Sequence, residues 1–319
     1  SMTMSLHKLS AGTGYAYLTR QVAAHDRAGG PRTTLATYYS ERGEAPGRWV
    51  GSGMAGIDGL AVGDEVPAQQ MRLLFGFGLH PLAELREESL AGPGLTERDY
   101  RAARRLGVPY KVYTSGATTF QVQVAQRIAE HAASLGHPQD YPVAAADRAR
   151  IRSQVAAEFF RAEHGRDPRD ARELSGAVSK LSRPRTSAVG GFDLTFSPVK
   201  SVSTLWAAAP PAVAAQIELA HPDAVTDALA CIEKHALYTR EGTNGVRQVD
   251  VTGLVAAAFT HRDSRAGDPD LHTHVAVANK VQTLSGKWLA TDGRILFKAT
   301  VAASETYNTA LEKHLRTRL

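Results

Sequence analysis

Apolar positions alternate with polar ones near both ends of the chain and recur at helical spacing through its middle. Residues 4–28 predict a short strand, a glycine turn and a helix with Tyr15 and Tyr17 at its start. Residues 66–107 read as helical, broken at Pro67, Pro81 and Gly92-Pro93-Gly94, with Thr96 capping the last helix. Residues 108–190 predict a mostly helical insertion, with Phe159 and Phe160 turned inward. The run FDLTFS at 192–197 alternates and predicts a strand, and SPVKSVSTLW turns into a helix from Ser197 or Pro198. Residues 210–240 predict a helix with a break near His221-Pro222. Strands follow at RQVDVTG and LVAAAFTH, then at HTHVAVANKV and near KWLATDG, and a helix closes the chain. This order predicts an α+β fold: a central, mainly antiparallel sheet with helices packed on one face.

The two strands LVAAAFTH and HTHVAVANKV flank RDSRAGDPD, whose Asp, Gly and Pro content predicts a reversing turn. Side chains two apart on a strand share a face, so His272 and His274 point the same way and Thr273 the other. The turn folds His261 back to their level. Three imidazoles on one sheet face make an open metal site, with coordination positions left for a substrate. A lone histidine would be ordinary core or surface; the H-x10-H-x-H spacing across a hairpin is what points to a metal.

Composition changes the picture little. The chain has 319 residues, 43% hydrophobic and 22% charged, which is enough for one large domain or two small ones. One cysteine, Cys231, excludes an internal disulfide and a thiolate zinc cluster. No apolar run predicts a membrane span, and a reducing, cytoplasmic setting is expected. The formal charge of +5 permits a polyanionic partner without requiring one.

Asp193 lies inside the apolar FDLTFS strand, and a carboxylate there needs a partner. It is read either as an edge residue or as a group held beside an imidazole or cation. Lys200 near a helix start would suit an anion. Tyrosines crowd the first 39 positions as Tyr15, Tyr17, Tyr38 and Tyr39, and each could equally be a packing residue.

FDLTFSPVKSVS followed by HRDSRAGDPDLHTHVAVANKV resembles the conjugative relaxases of the TrwC/TraI type, the MobF class of the HUH single-strand endonucleases. GYAYLTRQVAA and YYSERGEAPGRWVG are similar to the opening of the actinobacterial branch. The resemblance covers nearly the whole chain apart from the helical insertion. It implies one relaxase domain over 1–319, with a palm-like sheet, helical fingers, and no helicase-like region after it. The chain is then expected to be a piece of something longer. The implied activity is nicking one DNA strand at a conjugative transfer origin, leaving a 5′-phosphotyrosine link that can be religated. Carried over, His261, His272 and His274 match the metal triad, and Asp193 the carboxylate beside it. Tyr15 or Tyr17 matches the first tyrosine, with Tyr15 favoured as nucleophile, and Tyr38 or Tyr39 the second. The family's adjacent Tyr-Tyr pair is split here by Ala16, and the proline of SPVKSVS is displaced by one place. The implied cofactor is a divalent ion, Mg2+ or Mn2+ first and Zn2+ as the alternative. The implied partners are single-stranded origin DNA beside a hairpin, other transfer proteins and a coupling protein, with no membrane insertion. Arg20, Lys200, Arg262 and Lys280 are candidates to track the DNA backbone, and Trp49 either stacks a base or packs in the core. Two rival readings remain: a metallohydrolase that activates water, and a DNA-binding module whose metal is structural.

Overall fold

The computed structural model describes residues 3–19, 45–113, 118–138, 142–183, 187–264 and 268–319. Tyr38, Tyr39 and Arg20 lie outside the described residues. The described chain divides into two compact units, one of residues 1–112 with 187–319 and one of residues 113–186.

The larger unit is built on a six-stranded antiparallel sheet. Its strands are β1 (Met4–Ser10), β2 (Gly47–Val50), β3 (Glu65–Val66), β4 (Val189–Phe196), β7 (Ala256–Asp263) and β8 (Pro269–Ala278), in the spatial order β1-β4-β8-β7-β2-β3. Between β4 and β7 in sequence, β5 (Tyr238–Glu241) and β6 (Arg247–Asp250) form a separate two-stranded ribbon. The strand at β5 departs from the helix expected through residue 240: the helix stops at His235, and Tyr238 pairs with Asp250. A β-branched and aromatic run, Tyr238-Thr239, suits a pleated edge better than a helix end.

Alternation along the strands sorts the residues between two cores. Met4, Leu6, Phe192, Leu194, Phe196, Val275 and Val277 point to one face, where the helices Pro211–His235 and Thr300–Arg318 cover them. On the other face Leu9, Ala257, Phe259 and Ala276 meet Leu74, Phe75 and Trp49. Gly191 sits against this second core with no room for a side chain, since a Cβ would lie 2.9 Å from the Phe75 ring and 2.5 Å from the Val277 carbonyl oxygen. Phe75 therefore packs directly on β4.

The helix Pro211–His235 runs through Pro222 without the expected break. A proline inside a helix costs on the order of 3 kcal/mol. Here Ile217, Ala220, His221, Ala224, Val225 and Ala228 are all buried around it, and burying that apolar stripe outweighs the lost turn. The final helix also differs from expectation, being two pieces, Gly293–Lys298 and Thr300–Arg318.

The second unit is helical. Thr119–Ser134, Ala145–His164 and Ala171–Ser182 pack around Phe120, Val124, Ile151, Val155 and Ala156. Its helix ends follow the sequence. Thr118 and Gln121 form a capping box, Asp170 caps the third helix at Glu173 N (2.8 Å), and Gly165 ends the second at φ 70°.

Candidate active site

β7 and β8 pair antiparallel, and their register sets His261 directly opposite His272, with His274 opposite Phe259. Because the side-chain period is two, all three imidazoles stand on one face. Their ring centroids are 5.1 to 5.2 Å apart. One ring nitrogen from each lies within 4.8 Å of the others. The trio is graded in depth: His261 is 4% exposed, while His272 and His274 sit nearer the rim.

Each ring is oriented by its other nitrogen. His272 Nδ1 donates to the Asp270 carbonyl oxygen (2.8 Å). His274 Nδ1 donates to the Asp193 carboxylate (2.9 Å to Oδ2). A ring nitrogen facing an oxygen acceptor must carry the proton, so the Nε2 lone pairs of both rings are left to bind a cation. His261 Nε2 is buried and has no hydrogen-bond partner among the described residues, a costly state for a polar atom unless something coordinates it. Burial pushes the pKa of His261 down to about 3, its neighbours His274 and His272 push it the same way, and Asp193 only partly opposes them. The ring is therefore neutral, with a free lone pair, at physiological pH. The donor set fits a divalent cation on three nitrogens with open positions toward solvent.

β4 brings the rest. Asp193 stands one strand over, beside Ala276, and Thr195 stands beside His274, both on the histidine face. Asp193 is 2% exposed and accepts three hydrogen bonds: from His274, from Thr195 Oγ1 (3.2 Å) and from the Tyr17 hydroxyl. The Tyr17 ring also lies edge-on to His274, 6.0 Å between centroids. Tyr17 reaches this point from the short helix Ala16–Thr19. That helix is held by the preceding turn, where Ala11 N donates to Ala188 O and Gly12 N donates to Gly76 O, both at 2.8 Å.

Of the two early tyrosines, Tyr17 is the one whose hydroxyl bonds to Asp193. Tyr15 packs against the second core, its ring 3.5 Å from where a Cβ on Gly76 would lie. Burial raises its pKa, with Arg72 partly opposing. Tyr15 lies in the turn just before the helix Ala16–Thr19 and Tyr17 within it, so the two side chains leave the backbone in different directions.

Two DNA-contact expectations, Trp49 and Lys280, are corrected. Trp49 is fully buried in the second core, its indole N–H donating to Gln70 (2.8 Å), so neither ring face is open for a base. Lys280 is 3% exposed, and its ammonium donates to the carbonyls of Leu106 (2.6 Å) and Val108 beneath the Tyr110 ring. Arg262 pairs with Glu218 (3.3 Å) of the helix Pro211–His235, on the sheet face away from the histidines. Lys200 is exposed, the first residue of the helix Lys200–Ala208.

Thr195, Asp270 and His7 belong to the site's surroundings and escaped the sequence reading. Thr195 was accessible in principle, being two residues from Asp193 on the same strand. His7 pairs with Asp193 across β1 and β4, a contact between strands 186 residues apart in sequence that alternation cannot reveal.

The family model of the TrwC relaxase matches residues 11–319. The chain belongs to the TrwC relaxase family. Two curated relatives, both described as multifunctional conjugation protein TraI, come from Escherichia coli. One is 37% identical over 167 residues, which is 50% of this chain and 9% of the relative. The other, from strain K12, is 40% identical over 131 residues, 41% of this chain and 7% of the relative. The chain spans under a tenth of the length of these relatives. A copper-bound structure of the conjugative relaxase TrwC in complex with oriT DNA has the same fold, with a TM-score of 0.51 and 22% identity, covering 98% of this chain and 70% of that one. Among the described residues of this family member, no helix is long and apolar enough to cross a membrane.

Proposed function

We propose that this chain is the strand-cutting domain of a conjugative relaxase. It cleaves one strand of DNA at a transfer origin by transesterification and holds the 5′ end as a phosphotyrosine. The observation that carries this reading is the Tyr17 hydroxyl donating to Asp193, which in turn orients His274 of the histidine trio. Nucleophile, base and candidate metal ligand are one hydrogen-bonded set on one sheet face.

A divalent cation on His261, His272 and His274 would supply positive charge to the non-bridging oxygens of the scissile phosphate, undiminished because its protein ligands are neutral. The all-imidazole donor set favours Zn2+ over Mg2+, with Mn2+ bound more weakly than Zn2+. A tyrosine hydroxyl ordinarily ionises near pH 10, so it needs a base. Asp193 takes the proton as the Tyr17 oxygen bonds to phosphorus. The bond from phosphorus to the 3′ oxygen breaks, and that oxygen leaves as a 3′ hydroxyl once protonated. Because one phosphate ester replaces another, the reverse attack by the 3′ hydroxyl restores the strand. A carboxylate at the bottom of a sheet face favours a single strand over a closed duplex, because the phosphate must reach it. The substrate we assign is therefore single-stranded DNA beside the origin hairpin, handled in the cytoplasm together with other transfer proteins and a coupling protein.

The test uses the whole chain, Mn2+ and a labelled single-stranded oligonucleotide library with a randomised centre. A covalent adduct that survives a denaturing gel is expected. Tyr17→Phe should abolish it and Tyr15→Phe should leave it. Cleaved strands without any adduct would assign the attack to water and overturn the reading.

A further inference from the structure

On the sheet face opposite the histidines, the structure holds a cleft of about 750 Å³ that the cutting chemistry does not use. Lys8 places it on that face, since it shares the side of Met4 and Leu6 on β1 and pairs with Phe192 of the helix-covered core. Four cationic side chains, Lys8, Arg240, Arg294 and Lys298, line the cleft with a single carboxylate, Asp292. That carboxylate is already engaged: it is buried, caps the helix Gly293–Lys298, pairs with Arg240 at 3.0 Å and lies 3.9 Å from the Arg294 guanidinium, whose outer face is left exposed. Lys8, Arg294 and Lys298 are exposed.

Two further features select the ligand. Phe297 is 41% exposed at the cleft, held edge-on against buried Phe192 with 6.3 Å between ring centroids, and Lys8 Nζ lies over one face of its ring, 5.7 Å from the centroid. An aromatic face braced from behind and flanked by cations is what a nucleobase and its phosphate need together. The Thr291 hydroxyl, in the wall of the cleft, is buried and has no hydrogen-bond partner among the described residues. An orphaned hydroxyl costs free energy in the empty protein and regains it when a ligand oxygen arrives. An acidic peptide would use the cations but leave the ring idle.

We propose that this cleft binds a nucleoside phosphate, with the base on Phe297, the phosphate among Lys8, Arg294 and Lys298, and a ligand oxygen on the Thr291 hydroxyl. The same chemistry can come from a free nucleotide or from one unit of a DNA strand passing behind the sheet. The site is separate from the histidine cluster, so it does not depend on the cutting mechanism.

The experiment measures fluorescence polarisation of a short labelled oligothymidylate on the whole chain in chelator, with competition by thymidine 5′-monophosphate. The oligothymidylate is also made with 5-bromodeoxyuridine for photocrosslinking. Phe297→Ala and the double variant Arg294→Glu, Lys298→Glu should each weaken binding by about tenfold or more, with circular dichroism unchanged. Crosslinks should map to the peptides holding Lys8 or Phe297. Competition by the monophosphate identifies a nucleotide site, and its absence identifies a strand. Tyr17→Phe, which removes the proposed nucleophile, should leave all of this intact. Unchanged affinity in both folded variants, or crosslinks confined to other peptides, would overturn the proposal.

Discussion

His221 offers a quantitative test of how the sheet behind the metal site is held. It is fully buried on the helix Pro211–His235, its Nδ1 bonded to the Tyr307 hydroxyl (2.7 Å) and its Nε2 to the Thr273 hydroxyl (2.8 Å). Thr273 stands between the two β8 ligands and bonds on to Thr260 of β7 (2.9 Å), next to His261. Burial, helped by His272, lowers the pKa of His221 from 6.5 to about 3. The unfolded chain therefore takes up a proton near pH 6.5 that the folded chain refuses until much lower. Stability is full above that point and falls as the pH drops toward 3. Between pH 7 and pH 5 the loss from this one group is about 2 kcal/mol. The figure depends little on the folded value, because pH 5 is well above it. The assay is urea unfolding of wild type and His221→Gln in chelator at pH 7 and pH 5. Glutamine cannot titrate yet keeps a donor and an acceptor, so the difference of differences isolates His221 from His261 and every carboxylate. Wild type should lose about 2 kcal/mol more than the variant over that interval. Parallel losses would mean that the ring is charged or wetted in the folded protein, and the argument from burial would fail.

Three other outcomes are expected. Asp193→Asn should slow cleavage by about a hundredfold or more while changing DNA affinity less than threefold, measured by adduct formation and by polarisation; equal losses would make the carboxylate structural. His261→Ala should weaken Mn2+ or Zn2+ binding at least tenfold in calorimetry, because it removes the deepest of the three nitrogens, and affinity equal to wild type would remove the ion from this cluster. Lys280→Met should lower stability by about 2 kcal/mol, since the Leu106 and Val108 carbonyls lose their donor, yet leave DNA affinity unchanged in polarisation; weaker DNA binding in the folded variant would restore it as a contact.

The local part of the site was legible. Strand periodicity alone puts His272 and His274 on one face, and the Asp, Gly and Pro of RDSRAGDPD predict a reversal that sets His261 level with His272, which is the register β7 and β8 have. FDLTFS was recognisable as a strand with a carboxylate that needed partners. What alternation cannot carry is long-range pairing. β4 lies between β1 and β8, so His7, Asp193 and His274 become neighbours only when three distant segments meet. Chemical type also misled. Lys280 reads as a surface cation, but two backbone carbonyls solvate its ammonium inside the protein. Trp49 reads as a stacking platform, but its strand ends in the second core. Pro222 reads as a stop, and only the apolar packing around it explains why the helix continues.

The three candidate ligands sit on two neighbouring strands and face the same way only in one alignment of those strands. Sliding β7 by a single residue against β8 would turn His261 to the far side and leave two nitrogens where there had been three. An ion bound here therefore works as a latch on the hairpin as well as a centre of charge. Amide exchange along Ala256–Asp263 should slow when the ion is added and quicken when it is stripped, so the metal's presence can be read from the backbone without any DNA at all.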